Sequence, residues 1–179
     1  MKTKMNSKEH ILQFFLLNPT RSIHLRALSR ELGLSPAGIL KASRELIAEK
    51  IIILTKDKEK NLTLLHANRD SPSFFFLKKT RNIYSIYSSG LLHNLIEQYG
   101  KPEAVVLFGS YARGEDTEQS DIDIAILTKK HIPLNLNLFE KKLSRKIKLT
   151  ELSKEKIEKE FWFTLINGIV LSGYLEPPL

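Results

Sequence analysis

The chain has 179 residues, 42% hydrophobic and 27% charged, which suits a globular protein with one large or two small cores. It lacks cysteine, which excludes disulfides and thiolate metal sites; with no apolar run of about 18 residues and no signal-like start, the expected location is the cytoplasm, away from membranes. The net charge of +8 is uneven, 12 Lys and Arg against 6 Asp and Glu over residues 1–67 but 16 against 14 over 68–179, so the front third is expected to face a polyanion.

Ser7 is the expected N-cap of a first helix, whose apolar stripe of Ile11, Leu12, Phe14, Phe15 and Leu16 ends at Asn18-Pro19. A second short helix spans 24–32, with Leu25, Leu28 and Leu32 inward and Gly33 closing it. Ser35-Pro36 caps and starts a third helix running to about Lys50, with Ile39, Ser43, Leu46 and Ile47 as its buried face. Two strands follow, 51–56 and 61–67, joined by the charged turn Asp57-Lys58-Glu59-Lys60.

This order, with Leu28-Ser29-Arg30-Glu31-Leu32-Gly33-Leu34-Ser35-Pro36 at its centre, resembles a winged helix-turn-helix. The resemblance implies double-stranded DNA as partner. Ala37, Lys41, Arg44 and Ala48 share the face opposite the core stripe. Ser35 starts that helix, and small residues at Ala37 and Gly38 would let it enter a major groove while Lys41 and Arg44 reach bases or phosphates. Lys56, Lys58 and Lys60 would crowd the tip of the wing. The competing expectation is a winged helix that only mediates protein contacts or dimerisation.

The first domain is expected over residues 1–68 and the second over 69–179. The second opens on a long linking helix, 72–99, with Gly90 as its weak point and Phe75, Leu77, Ile83, Ile86, Tyr87, Leu91, Leu92, Leu95 and Ile96 as apolar positions. Its aromatics are expected to serve core packing, a rigid domain pair or a homodimer contact.

Ala104-Val105-Val106-Leu107-Phe108 reads as a buried strand, ended by Gly109-Ser110 before a short helix through Arg113. A glycine there admits close approach of a phosphate, and the first amides of the helix have no internal partners. Asp121-Ile122-Asp123-Ile124-Ala125-Ile126-Leu127 begins with strict alternation, so the two aspartates share one face and Ile122, Ile124 and Ile126 enter the core. Carboxylates about 7 Å apart on one strand can converge on a hard cation that also holds phosphate oxygens.

Gly-Ser, ten residues, then Asp-Ile-Asp resembles the signature of the DNA polymerase β-type nucleotidyltransferases, nearest to the minimal branch. The resemblance implies an α+β second domain with a small mixed sheet flanked by helices. It also implies an NTP held by Gly109, Ser110 and Arg113, with Mg²⁺ on Asp121 and Asp123 as catalytic carboxylates.

Beyond this motif, a helix is expected over 136–144, a third strand over 145–152 and a final helix from a Ser153 cap to Asn167. The family pattern puts a third carboxylate on the third strand, at the position of Lys148. Alternation sets Lys146, Lys148 and Thr150 on one face and Glu151 on the other with Ile147 and Leu149, so only a bulge or slip could bring Glu151 round.

Two readings follow. One is an enzyme transferring a nucleoside monophosphate from Mg-NTP to an acceptor hydroxyl, with a protein such as the toxin partner of the antitoxin branch as acceptor. The other is a catalytically impaired regulator that binds DNA and senses nucleotide.

Overall fold

Residues 6–57 and 62–176 are described by the computed structural model of this α+β chain. Contacts divide it into two units, residues 1–78 and 79–179. The division falls later than residue 68 because Phe74, 1% exposed, packs into the core of the first unit. Lys78 is buried there too, and its Nζ donates to Leu16 O at 2.9 Å.

The first unit runs α1 (Ser7–Leu17), β1 (Ile23–His24), α2 (Leu25–Leu32), α3 (Pro36–Ala48), β2 (Ile52–Asp57) and β3 (Leu62–Ala67). Asn6, not Ser7, caps α1. Its side chain accepts from Glu9 N at 2.9 Å while Glu9 Oε2 accepts from Asn6 N at 2.8 Å, a reciprocal capping box. The turn between α2 and α3 is tight because Gly33 takes φ +64°, and Ser29 Oγ ties it by donating to Leu34 O at 2.6 Å.

The strands form an antiparallel sheet in the order β1-β3-β2. Strand β1 has two residues, too few for a periodic signal, and exists by pairing Ile23 with Leu65 and His24 with Leu64. Three helices and a ribbon extended by this short strand make a winged helix-turn-helix. Ile11, Phe15, Leu28, Ile39, Leu46, Ile52 and Leu65 fill its core.

The long helix of the sequence reading is two helices, α4 (Pro72–Ser89) and α5 (Leu91–Tyr99). Gly90, at φ +82°, turns the backbone left-handed between them. Within α4 the buried aromatic is Phe74 rather than Phe75, and Tyr87 stands 51% exposed with its hydroxyl on Leu171 O at 3.0 Å. Core packing therefore does not account for Tyr87. A ring at the edge of a helix stripe can leave the core and still satisfy its hydroxyl.

The second unit continues with β4 (Ala104–Phe108), α6 (Gly109–Arg113), β5 (Ile122–Leu127), α7 (Asn137–Leu143), β6 (Ile147–Leu152), α8 (Lys159–Ile166) and β7 (Ile169–Gly173). Its sheet is mixed, in the order β6-β5-β4-β7, with β5 and β6 parallel and the other pairs antiparallel. One face packs Val105, Leu107, Ile122, Ile124 and Ile126 with Ile86, Leu91, Leu95 and Tyr99. The other packs Ala104, Val106, Ala125 and Leu127 with Trp162 and Leu165.

The last helix is shorter than expected. Ser153 bonds the Glu155 side chain instead of capping, a single 3₁₀ turn covers Lys154–Lys156, and the chain runs extended at Ile157 before α8 starts. No helix among the described residues is long and apolar enough to cross a membrane.

Candidate functional site

Asp121 and Asp123 lie at the start of β5, where alternation turns both away from the Ile122, Ile124 and Ile126 core. The same alternation ends β4 at Phe108, which is the register partner of Asp123 across the antiparallel pair. The next residue, Gly109, is therefore delivered beside the Asp123 carboxylate. Gly109 takes φ +73°, and a Cβ there would lie 2.5 Å from Asp123 Oδ2. The missing side chain is the space that lets the carboxylate sit against the turn.

Strand β6 adds the third member. Its parallel pairing with β5 is regular from Ile122↔Ile147 to Leu127↔Leu152, and it sets Lys148 opposite Asp123. Lys148 Nζ lies 2.7 Å from Asp121 Oδ2. The hydrogen bond and charge of Asp121 hold the Lys148 ammonium above its ordinary pKa. Burial pushes the Asp123 carboxyl above the usual aspartate range; the Lys148 charge pulls it back and the Asp121 charge adds to the rise.

Glu151 is held on the opposite face. With no bulge in β6, it accepts from Ile132 N at 2.8 Å and from the Tyr99 hydroxyl and His131 ring. The carboxylate on β6 thus anchors the loop after β5 instead of facing the aspartates.

Among the described residues no group of three or more His, Cys, Asp and Glu side chains is placed to hold a metal. Asp121 and Asp123 supply two carboxylates, but an ammonium on Asp121 stands where a third anion would be needed. This donor set does not fit a divalent ion held by protein groups alone.

Ser110 is the second residue of α6, and its carbonyl accepts from Glu115 N at 3.0 Å, tightening the turn. Arg113 is exposed at the other end of α6, and its Nε donates to Glu115 at 2.6 Å. A cavity of about 480 Å³ opens beside Asp121, bordered by Ser120, Asn137, Glu140, Arg145 and Lys146. Another of about 270 Å³ borders Gly109, Ala112 and Arg113, with Phe163, Thr164 and Asn167 of α8.

Beneath the turn lies a polar cluster that periodicity gives no sign of. Asn82 Nδ2 donates to Tyr111 O at 2.9 Å and to Asp116 Oδ1 at 2.7 Å, and Arg145 Nη2 lies 3.9 Å from Asp116 Oδ2. Asp116 is 1% exposed, and burial with its charge pushes the Tyr111 hydroxyl up to about 12. The cluster pins the loop that separates Gly109 from Asp121. Replacing Asn82 with leucine should destabilise the fold by about 2–4 kcal/mol in urea melts, because a buried carbonyl and carboxylate both lose a donor. A loss below about 0.5 kcal/mol would show that the cluster does not hold the loop.

In the first unit, Ser35 is the N-cap of α3 and accepts from Gly38 N at 3.1 Å. Ile39, Ala42, Ser43 and Leu46 are buried, while Ala37, Lys41, Arg44 and Ala48 are exposed together on the opposite side. Leu40, which the sequence reading passed over, joins that face at 42% exposure. Lys56 is exposed on β2. Lys58 and Lys60 lie outside the described residues.

Comparison with known proteins agrees with the second unit. A stretch of 26 residues, 14% of the chain, is 65% identical to the "Putative protein adenylyltransferase" of Methanocaldococcus jannaschii. The chain spans about a quarter (26%) of that protein's length. The crystal structure of the adhesin competence repressor AdcR from Streptococcus pyogenes aligns with TM-score 0.39 and 17% identity, covering 55% of this chain and 69% of that one. Residues 91–173, from the start of α5 to the end of β7, match the family model Polymerase beta, Nucleotidyltransferase, and this span contains Gly109, Ser110, Asp121, Asp123 and Lys148.

Proposed function

We propose that the second unit binds a nucleoside triphosphate in the cleft between Gly109-Ser110 and the Asp121/Asp123 pair, and transfers its nucleoside monophosphate to a hydroxyl on an acceptor protein. The observation that carries this reading is the closeness of the Gly109 turn to the Asp123 carboxylate, whose Oδ2 lies 2.5 Å from where a Cβ at Gly109 would be. The family match over residues 91–173 and the adenylyltransferase name of the Methanocaldococcus protein support the reaction class. In the transfer, the acceptor oxygen bonds to the α-phosphorus and the bond to the bridging oxygen of the β-phosphate breaks. Pyrophosphate leaves, and the hydroxyl proton passes to solvent. Mg²⁺ arriving on the triphosphate would supply charge stabilisation; the chain's own residues bind and orient the phosphates.

The first unit is assigned to duplex DNA. The exposed set Ala37, Leu40, Lys41 and Arg44 combines phosphate-binding cations with apolar groups suited to thymine methyls.

One observation favours a second reading. Lys148 on Asp121 weakens the anionic pair that phosphoryl transfer needs, which suits a DNA-binding regulator that responds to nucleotide without turnover. Incubating the chain with α-labelled NTPs, Mg²⁺ and cell lysate separates the two. A labelled protein band that disappears in Asp121→Asn and Asp123→Asn supports transfer. Nucleotide binding without any labelled band supports the regulator, and absence of binding removes both.

A further inference from the structure

We propose that Lys148 serves as a built-in counter-cation, so that this cleft binds a nucleoside triphosphate without requiring a divalent metal. The inference rests on the reading that the cleft takes a triphosphate, and it concerns what neutralises that ligand.

The position of Lys148 is set by the backbone. It faces Asp123 in the regular parallel pairing of β5 and β6, and Ile147 and Leu149 on either side are half-buried against the core. Its side chain is 69% exposed, while that of Asp121 is 29% exposed, so the lysine stands further into solvent than the carboxylate it pairs with. An ammonium has three N–H donors, and the bond to Asp121 uses one. A phosphate oxygen entering between Gly109 and Asp121 can therefore meet the same ammonium without breaking that ion pair.

Charge gives the direction of the effect. Two aspartates and one lysine leave the site at −1, whereas a carboxylate at position 148 would make it −3. A multiply charged triphosphate is repelled far more by the second site, which must recruit cations before it can bind. The ammonium of Lys146, just before β6, is engaged elsewhere, since its Nζ bonds Glu140 Oε2 at 2.9 Å. Lys148 is thus the β6 cation turned to the aspartates. It acts here as a binding residue for phosphate, and the reading does not depend on turnover.

The test is calorimetric titration of ATP into the full chain, wild type and Lys148→Asp, in excess Mg²⁺ and in EDTA. Because Lys148 is largely exposed, the substitution is expected to keep the fold, which far-UV circular dichroism checks. Wild type should bind ATP in EDTA within about threefold of its affinity with Mg²⁺, whereas Lys148→Asp should lose about tenfold or more in EDTA and regain it with Mg²⁺. If wild type binds Mg-ATP but not ATP in EDTA, the inference is overturned and the nucleotide reading stands. Equal loss in both proteins overturns it too. If wild type binds ATP under neither condition, the cleft is not a triphosphate site and both fall.

Discussion

Replacing Lys41 and Arg44 together with alanine should weaken binding to mixed-sequence duplex DNA by about 100-fold and lower the slope of log affinity against log salt by about 2. The expectation starts from the helix. Ser35 and Pro36 fix where α3 begins, and the buried set Ile39, Ala42, Ser43 and Leu46 fixes its rotation. That rotation leaves Lys41 and Arg44 facing outward beside Ala37, whose small side chain lets the helix lie close to base edges. Each cation that meets a phosphate releases a counterion, which is why the salt slope reports the contacts themselves. A charge-matched control, Lys141→Ala with Lys159→Ala in the second unit, removes two exposed cations and should leave affinity and slope unchanged. Gel shifts over a salt series decide the matter, and an unaltered slope in the α3 variant would rule out this face as the DNA surface.

Gly109→Ala should abolish measurable ATP binding, a loss of more than about tenfold, and lower stability by about 1–3 kcal/mol. Two costs combine at this position. A side chain at φ +73° is strained by its own backbone, and its Cβ would meet Asp123 Oδ2 at 2.5 Å, so the carboxylate must move out of the cleft. Gly33→Ala separates the two effects. Gly33 has φ +64° with nothing within 4 Å of an added Cβ, so it carries the strain without the clash. Gly33→Ala should therefore lower the urea midpoint and leave ATP affinity as it was. Wild-type ATP affinity in Gly109→Ala would mean that the turn and the carboxylates do not form one site.

Much of this protein follows from patterns only a few residues long. Alternation from Asp121 to Leu127 assigns faces without knowledge of any neighbour, since successive side chains of a strand must point opposite ways. The same rule separates Lys148 from Glu151. The cap and proline at Ser35-Pro36 and the glycine at Gly33 mark helix ends because their backbone chemistry is local.

Tertiary structure decided the rest. Strand β1 has no periodic signal of its own and owes its existence to β3, some 40 residues later. Tyr87 leaves the core to reach Leu171 O. Asn82, Asp116 and Arg145 form one buried cluster although they are scattered over α4 and two separate loops. Alternation alone says that Lys148 shares a face with Lys146 and Thr150. It cannot say which of the three stands beside Asp123, because sliding a strand by two residues preserves every face. That choice belongs to the parallel register of β5 and β6, which packing of Ile147 and Leu149 against the core holds in place, and it is what brings the Lys148 ammonium to Asp121.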